Sequence, residues 1–185
     1  MTRRASLSFG YDEQKVNHIR LSVVFKESFT GEWNKKVGDE EQKKSADGTR
    51  VESKEGDISF AGPLHLPDIK KSVWGESGLG YFLSNPADPG AELIAVKIFF
   101  ADGKVDEAKL NERIEADLKG QQMTSLPREK LELADLNWVR VSDGATRIHL
   151  YSSKGKKIYQ IQIVTGGGVW QQKWLYPFLN SIKID

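Results

Sequence analysis

The sequence predicts an α+β fold in which an antiparallel β-sheet is flanked by helices, with an N-terminal strand and a charged loop before the main sheet. Segments in which apolar and polar residues alternate recur along the chain, as is typical of strands. Two segments carry apolar residues at helical spacing, and a block of predicted strands lies before each of them. The 185 residues suffice for one hydrophobic core, so we expect a single domain over residues 1–185.

The first strand is predicted where Ile19, Leu21, Val23 and Phe25 alternate with mostly polar neighbours. Residues 35–57 follow with 13 charged residues in 23 and no aromatic residue. Such a segment buries too little apolar surface to offset the entropy lost on ordering. We therefore expect 35–57 to be a mobile charged loop or insertion.

Three further strands are predicted between residues 58 and 101. The first is ISFA, from Ile58, which runs into an irregular segment bounded by Pro63 and Pro67. The second contains Tyr81-Phe82-Leu83 and follows the glycine-rich segment GESGLG. No Gly-Lys-Ser/Thr follows those glycines, so they predict a turn rather than a phosphate-binding loop. The third, ELIAVKIFFA, is almost continuously apolar, which indicates a central strand.

A helix is predicted over residues 106–119. Asp106 can cap its first turn, and Leu110, Ile114 and Leu118 recur at intervals of four residues to form one apolar stripe. Gly120 provides a C-terminal stop.

A meander of strands is predicted next, with turns at residues 135–137, 143–144 and 154–155. A closing helix is predicted after Gly168, because Trp170, Trp174 and Phe178 share a face. Pro177 should bend this helix or mark an end close by. The chain finishes with SIKI, which resembles a short strand.

Four pieces of the sequence, within about residues 58–185, resemble the PsbP-like α/β/α sandwich family, which includes DcrB-type lipoproteins and Eag-type effector chaperones. They are ISFAGP, the helix LNERIEADLKGQQ, the strands from LELADLNWVRVSDG to IYQIQIVT, and the aromatic WQQKWLYPFLNSIKI. The resemblance implies a non-enzymatic binding or assembly module, and it carries no catalytic residues to transfer.

The composition argues against several functional classes. There is no cysteine, hence no disulfide framework and no thiolate metal site. The 27 basic and 26 acidic residues nearly balance, which argues against nucleic-acid binding. No apolar run is long enough to span a bilayer. The three histidines have no partner at ligand spacing, so we predict neither a metal site nor a cofactor. His149, between two apolar strand residues, is expected to face solvent.

Aromatic residues give the strongest interaction signal. Trp33 and Trp74 lie outside clear periodicity, in polar or glycine-rich surroundings, and exposed tryptophan is enriched at binding hot spots. Tyr81 and Phe82 are close to Trp74 along the chain, and one of the two should point outward. We therefore predict partner-binding residues Trp33, Trp74, Tyr81 and Phe82. The alternative is that each tryptophan covers the edge of the core.

The resulting functional hypothesis is a non-enzymatic protein-binding module, such as a bacterial toxin immunity protein or a secreted-effector chaperone that caps its partner sterically. One alternative is an extracytoplasmic lipoprotein-type domain that binds a small ligand or lipid. Another is a hydrolase with a cryptic triad. The basic start lacks the apolar stretch of a signal peptide, which predicts a cytoplasmic protein. A leader preceding Met1 would instead make it periplasmic or lipid-anchored. The sequence leaves the oligomeric state open.

Overall fold

A computed structural model describes most of the chain, which divides into two compact units, Met1–Lys35 and Lys36–Asp185. The described residues are 4–12, 15–24, 48–88, 91–169 and 172–185.

The described part of the first unit is an antiparallel hairpin of β1 (Arg4–Asp12) and β2 (Lys15–Val24), with an irregularity in register between Gly10 and Tyr11. The strand predicted at Ile19, Leu21 and Val23 is confirmed as part of β2, and Phe25 lies outside the described residues. We did not predict β1, although its sequence RASLSFGYD alternates apolar and small or polar residues as a strand does.

The second unit contains ten strands, two α-helices and one 3₁₀ turn among its described residues. The strands are β3 (Arg50–Ser53), β4 (Ile58–Ala61), β5 (Asp68–Val73), β6 (Gly78–Ser84), β7 (Leu93–Phe100), β8 (Arg128–Leu133), β9 (Leu136–Ser142), β10 (Arg147–Lys154), β11 (Lys157–Val164) and β12 (Lys183–Ile184). The helices are α1 (Glu107–Gly120) and α2 (Leu175–Asn180), and the 3₁₀ turn is Gly75–Ser77.

These strands form two antiparallel sheets. The large sheet has seven strands in the order β5-β6-β7-β11-β10-β9-β8, and the small sheet has the order β12-β4-β3. The predicted central strand is confirmed, because β7 lies between β6 and β11. The predicted meander is confirmed as β8 to β11.

The predicted helix-flanked sandwich is wrong. The described chain is mostly β-structure, and a second sheet stands where a layer of helices was expected. The strand content exceeds the prediction because two charged, weakly apolar segments form strands, one in each sheet. β3 has Val51 as its sole apolar residue, and β5 has the sequence DIKKSV. Thus residues 48–57, part of the segment predicted as a loop, contain a strand paired with β4, and residues 35–47 of that segment lie outside the described residues.

The predicted helix and turns of the second unit are confirmed where their local chemistry was strong. Asp106 accepts a hydrogen bond from the backbone N–H of Lys109 at 2.9 Å, which caps α1. At the β9–β10 turn, the Asp143 carboxylate accepts the backbone N–H groups of Ala145, Thr146 and Arg147. Although partial burial opposes the effect, these hydrogen bonds hold the pKa of Asp143 well below its usual range.

One surface of the large sheet, which we call the apolar face, packs against the small sheet and α2. The Phe60 ring of β4 packs edge-on against the rings of Tyr81 in β6 and Phe178 in α2. The ring centroids are 5.8 Å and 6.0 Å from that of Phe60. This face is supplied by alternate residues of the central strands. They are Leu79, Tyr81, Leu83, Ile94, Val96, Ile98, Tyr159, Ile161, Ile163, Ile148 and Leu150, all of them buried.

The opposite surface, the helix face, is partly covered by α1. Ile114 and Leu118 of α1 join Met123, Val141 and Tyr151 in one buried cluster, so the predicted stripe does face the core. The remaining residues of this face are mixed in character. They include Gly80, Phe82, Ala95, Lys97, Phe99, Gln160, Gln162 and His149.

The closing helix is shorter than predicted. α2 begins at Leu175, so Pro177 lies in its first turn, where the missing N–H leaves no helical hydrogen bond unmade. Phe178 is fully buried as predicted, whereas Trp174 is half-buried before the helix. Trp170 lies outside the described residues. The SIKI tail is confirmed as β12, which pairs with β4. Among the described residues, no helix has the length and apolarity to cross a membrane.

Candidate interaction site

The helix face carries a half-buried group of aromatic rings, Trp74, Phe82 and Phe99, which we call the aromatic patch. Trp74 follows β5, and its ring stacks on Phe99 of β7, with the centroids 5.7 Å apart and the planes 17° from parallel. Phe82 projects from β6 on the same face. All three rings are partly exposed, so the patch is not part of the buried core.

The glycine-rich segment before β6 explains the position of Trp74. The 3₁₀ turn of residues 75–77 is held by hydrogen bonds from Trp74 N to Gly78 O at 2.8 Å and from Ser77 Oγ to Trp74 O at 2.5 Å. Gly75 has φ 62° and Gly78 has φ 151°, values that other residues rarely adopt. The sequence prediction of a turn is confirmed, and its consequence is to bring Trp74 back over the sheet.

Gly80 leaves the space that Trp74 fills. A Cβ atom at position 80 would lie 2.9 Å from the edge of the Trp74 ring and 3.4 Å from the Phe82 ring. A side chain at this position would therefore displace the tryptophan. The aromatic patch depends on a glycine in the middle of a strand, where glycine otherwise weakens the sheet.

Two basic side chains adjoin the patch. The Arg113 guanidinium of α1 lies 3.6 Å from the centroid of the Phe99 ring, a cation–π contact, and its Nε is buried without a hydrogen-bond partner. Lys97 of β7 is opposite Gly80 and Gln160 in the sheet register, and its Nζ donates to Gln162 Oε1 at 3.3 Å. Both side chains are half-buried.

A buried polar network lies next to these cations, centred on the Asp117 carboxylate of α1. Asp117 accepts hydrogen bonds from the Tyr151 hydroxyl, from Gln160 Nε2 at 2.8 Å and from Gln121 Nε2 at 2.9 Å. His149 Nδ1 lies 3.6 Å from the same carboxylate.

His149 is fully buried, which corrects the expectation that it faces solvent. The alternation along β10 does turn it away from the apolar face, but α1 and its network cover the side onto which it projects. Because the Tyr151 hydroxyl donates to Asp117, its oxygen can accept from His149 Nδ1, 3.2 Å away. His149 Nε2 is buried and has no partner.

The network shifts the pKa values of its members. Burial raises the pKa of Asp117, but the adjacent His149 ring, the hydrogen bond from Tyr151 and the charge of Lys97 outweigh it and lower the pKa to about 2. Burial and the adjacent Asp117 carboxylate raise the pKa of Tyr151 far above its usual value. The pKa of Lys97 is lowered by burial; Asp117 opposes this effect and the Arg113 charge adds to it.

A separate cavity of about 370 Å³ opens beside the β6–β7 connection. His65 Nε2 lies 2.6 Å from Glu92 Oε2, and the His65 ring packs against Trp174 with the centroids 5.2 Å apart. The cavity is lined by His65, Leu66, Asn85, Asp88, Ala91, Glu92, Gly166, Gly167 and Gln172. It therefore combines hydrogen-bonding groups from four parts of the chain.

The two histidines whose side chains the structure describes contact carboxylates and a tyrosine, and no serine hydroxyl hydrogen-bonds to either of them. Within the described ranges there is also no cluster of three or more histidine, aspartate or glutamate side chains that could hold a metal ion.

The four predicted partner-binding residues do not lie together. Trp74 and Phe82 share the aromatic patch, whereas Tyr81 is buried on the apolar face against Phe60. Trp33 lies outside the described residues. Sequence reasoning missed Phe99, Lys97 and Arg113. Phe99 and Lys97 lie within the almost continuously apolar run of β7, which draws attention away from them. The alternation in KIFF places both on one face of the strand, and this signal could have indicated the site.

No protein-family model and no curated protein matches this chain. The resemblance to the PsbP-like family stays a prediction, although the layered helix arrangement that it implied is not what the structure has.

Proposed function

We propose that this protein is a non-enzymatic protein-binding module that recognises its partner through the aromatic patch. The observation that carries the proposal is the stacked, partly exposed pair of Trp74 and Phe99, held by Gly80 outside the buried core. Rigid aromatic side chains bury a large area at a low cost in conformational entropy, and tryptophan is enriched among binding hot spots.

In its finer form the proposal is a bacterial toxin immunity protein or a secreted-effector chaperone. Such a protein would act by steric capping, with the patch and the adjoining β5 edge covering a functional surface of the partner. This finer form rests on the family resemblance seen in the sequence. Steric capping needs no catalytic group, so it requires of the patch only a stable and specific contact.

The test is a selection of peptides from a displayed random library against the full chain, followed by affinity measurements on Trp74→Ala. We expect the variant to bind the selected peptides at least about tenfold more weakly, since truncating a hot-spot tryptophan removes most of its contact. Leu64→Ala is the matched control, because Leu64 is a large apolar side chain, 67% exposed, outside the patch. Equal binding by both variants, or no selected peptide, would contradict the proposal.

A second candidate, the lipoprotein-type domain that binds a small ligand, is favoured by the cavity at His65. Its volume of about 370 Å³ is within the range of small-molecule sites, and Glu92, Asp88 and Asn85 offer polar contacts. Amide NMR spectra recorded with pools of amino acids, nucleosides and sugars test it. Saturable shifts at Leu66 and Ala91 that vanish in His65→Ala would support this candidate, and their absence would count against it.

A further inference from the structure

The aromatic patch is bordered by two cations that have no carboxylate of their own. Lys97 Nζ has an amide oxygen, Gln162 Oε1, as its hydrogen-bond partner. Arg113 rests on the Phe99 ring, and its Nε is buried without an acceptor. No ion pair within the described part of the chain includes either side chain. The buried Nε of Arg113 has lost its contact with water without gaining a hydrogen bond, so a favourable interaction is left unmade.

The carboxylate whose charge acts on Lys97 already has hydrogen-bond donors. Asp117 accepts from Tyr151, Gln160 and Gln121, three donors that fix it inside the network. Two cations, Lys97 and Arg113, thus lie near one carboxylate that already has three hydrogen-bond donors. The Arg113 charge lowers the pKa of Lys97, which shows that the two cations repel each other. An added anion between them would relieve that repulsion.

The surroundings limit the kind of anion. Glu112 and Glu115 are exposed on α1 near Arg113 in the sequence, and they would repel an extended polyanion such as nucleic acid. The aromatic patch adjoins the cations and offers an apolar contact. A single carboxylate beside an apolar or aromatic side chain matches both features.

We infer that the partner presents an acidic segment, whose Asp or Glu carboxylate binds between Lys97 and Arg113 while an adjacent apolar side chain packs on Trp74 and Phe99. This inference rests on the proposed function and adds to it the chemistry of the partner. Charge-assisted hydrogen bonds from a guanidinium and an ammonium are about twice as strong as neutral ones, and the Phe99 ring already orients the Arg113 guanidinium.

The experiment uses those library-selected peptides whose binding depends on Trp74. Each is compared with a copy in which every Asp and Glu is replaced by Asn and Gln. We expect the acidic peptides to bind about tenfold more tightly than their amide copies, equivalent to about 1.4 kcal/mol. The difference should shrink at about 0.5 M ionic strength, where the screening length is about 4 Å.

Lys97→Gln and Arg113→Gln locate the carboxylate. Each should weaken the acidic peptides about tenfold and leave the amide copies within about twofold. Lys130→Gln is the matched control, because it removes the same charge from an exposed position on β8 of the same sheet. Arg113→Lys keeps the charge without the fork and should give an intermediate loss. Thermal melts establish that each variant is folded. One folded variant, of either Lys97 or Arg113, is enough to test the inference.

The outcomes separate this inference from the proposed function. Peptides that depend on Trp74 but lack Asp and Glu, or that bind Lys97→Gln and Arg113→Gln as tightly as the unmodified protein, overturn the inference and leave the function standing. Competition by inorganic phosphate at concentrations where acetate has no effect would also overturn it, in favour of a phosphate-bearing partner. If Trp74→Ala binds all selected peptides as tightly as the unmodified protein, the proposed function itself is contradicted.

Discussion

The two faces of the large sheet are built from the same strands but differ in packing and polarity. On the apolar face, Phe60, Tyr81 and Phe178 interlock edge-to-face and exclude water. On the helix face, α1 covers part of the sheet together with the Asp117 network, and the rest carries stacked rings bordered by Lys97 and Arg113, which form no ion pair among the described residues. Neighbouring residues of β6 illustrate the division, since Tyr81 projects onto the first face and Phe82 onto the second.

The difference teaches where stability and recognition reside. Close-packed apolar side chains contribute most to the free energy of unfolding, and each such core residue is costly to truncate. Half-buried aromatic rings and unpaired donors contribute little to folding and leave binding energy available for a partner. The apolar face should therefore respond to mutation through stability, and the aromatic patch of the helix face through binding.

The largest effect should come from Phe60→Ala. Phe60 is fully buried and contacts rings on both sides, so its truncation should lower the free energy of unfolding by about 3–5 kcal/mol. Phe82→Ala is the matched change on the helix face, where partial exposure should limit the loss to below about 2 kcal/mol. Urea unfolding at neutral pH measures both. Equal losses would mean that the aromatic patch belongs to the core.

The sequence predicted the elements whose signals are local. Asp106 and the stripe at Leu110, Ile114 and Leu118 defined α1, and the turns at Asp143-Gly144 and Lys154-Gly155 defined the hairpins of the large sheet. These signals depend on residues within one or two turns of each other. The small sheet depends instead on β12, which is far from its partner β4 in sequence, and on β3, a charged strand whose sequence shows no apolar alternation.

The candidate site was predicted in part for the same reason. An unusual position in the sequence singled out Trp74, and the alternation of β6 required one of Tyr81 and Phe82 to point outward. Alternation gives the side of a sheet but not what covers that side, and so it could not show that α1 buries His149. Arg113 reaches the site because α1 packs back onto the sheet, which no pattern in its own segment reveals.

The next effect in size tests the polar network of the helix face. The pKa of Asp117 falls from 3.8 to about 2 on folding, so its ionised form stabilises the protein by about 2 kcal/mol at neutral pH. Because the folded pKa is the lower one, this contribution is present above about pH 4 and is lost as the pH falls through about 2. Asp117→Asn should therefore be less stable by about that amount at pH 7, with the deficit shrinking toward pH 2.

Urea unfolding of the unmodified protein and Asp117→Asn at several pH values measures the deficit. Asp106→Asn is the control, since Asn caps a helix about as well as Asp and the variant should differ little at any pH. A deficit that stays constant from pH 7 to pH 2 would show that the shape of the Asp117 side chain matters rather than its charge. The network would then resemble the apolar face, and the contrast between the two faces would weaken.

The smallest and most specific effects come from two glycine substitutions of opposite sign. At Gly80 a new Cβ would lie 2.9 Å from the Trp74 ring, so Gly80→Ala must move the ring and should cost about 1 kcal/mol of stability. At Gly120, the end of α1, a Cβ meets nothing within 4 Å, so Gly120→Ala should stabilise the protein by about 0.4–1 kcal/mol.

The two variants make the same chemical change, and Gly80→Ala alone disturbs the stacking of Trp74 on Phe99. Gly80→Ala should therefore weaken the binding of Trp74-dependent peptides by more than its cost in stability explains. Gly120→Ala should leave their affinity unchanged. If Gly80→Ala bound those peptides normally, the stacked geometry would be incidental, and recognition would depend on the apolar area of the patch alone.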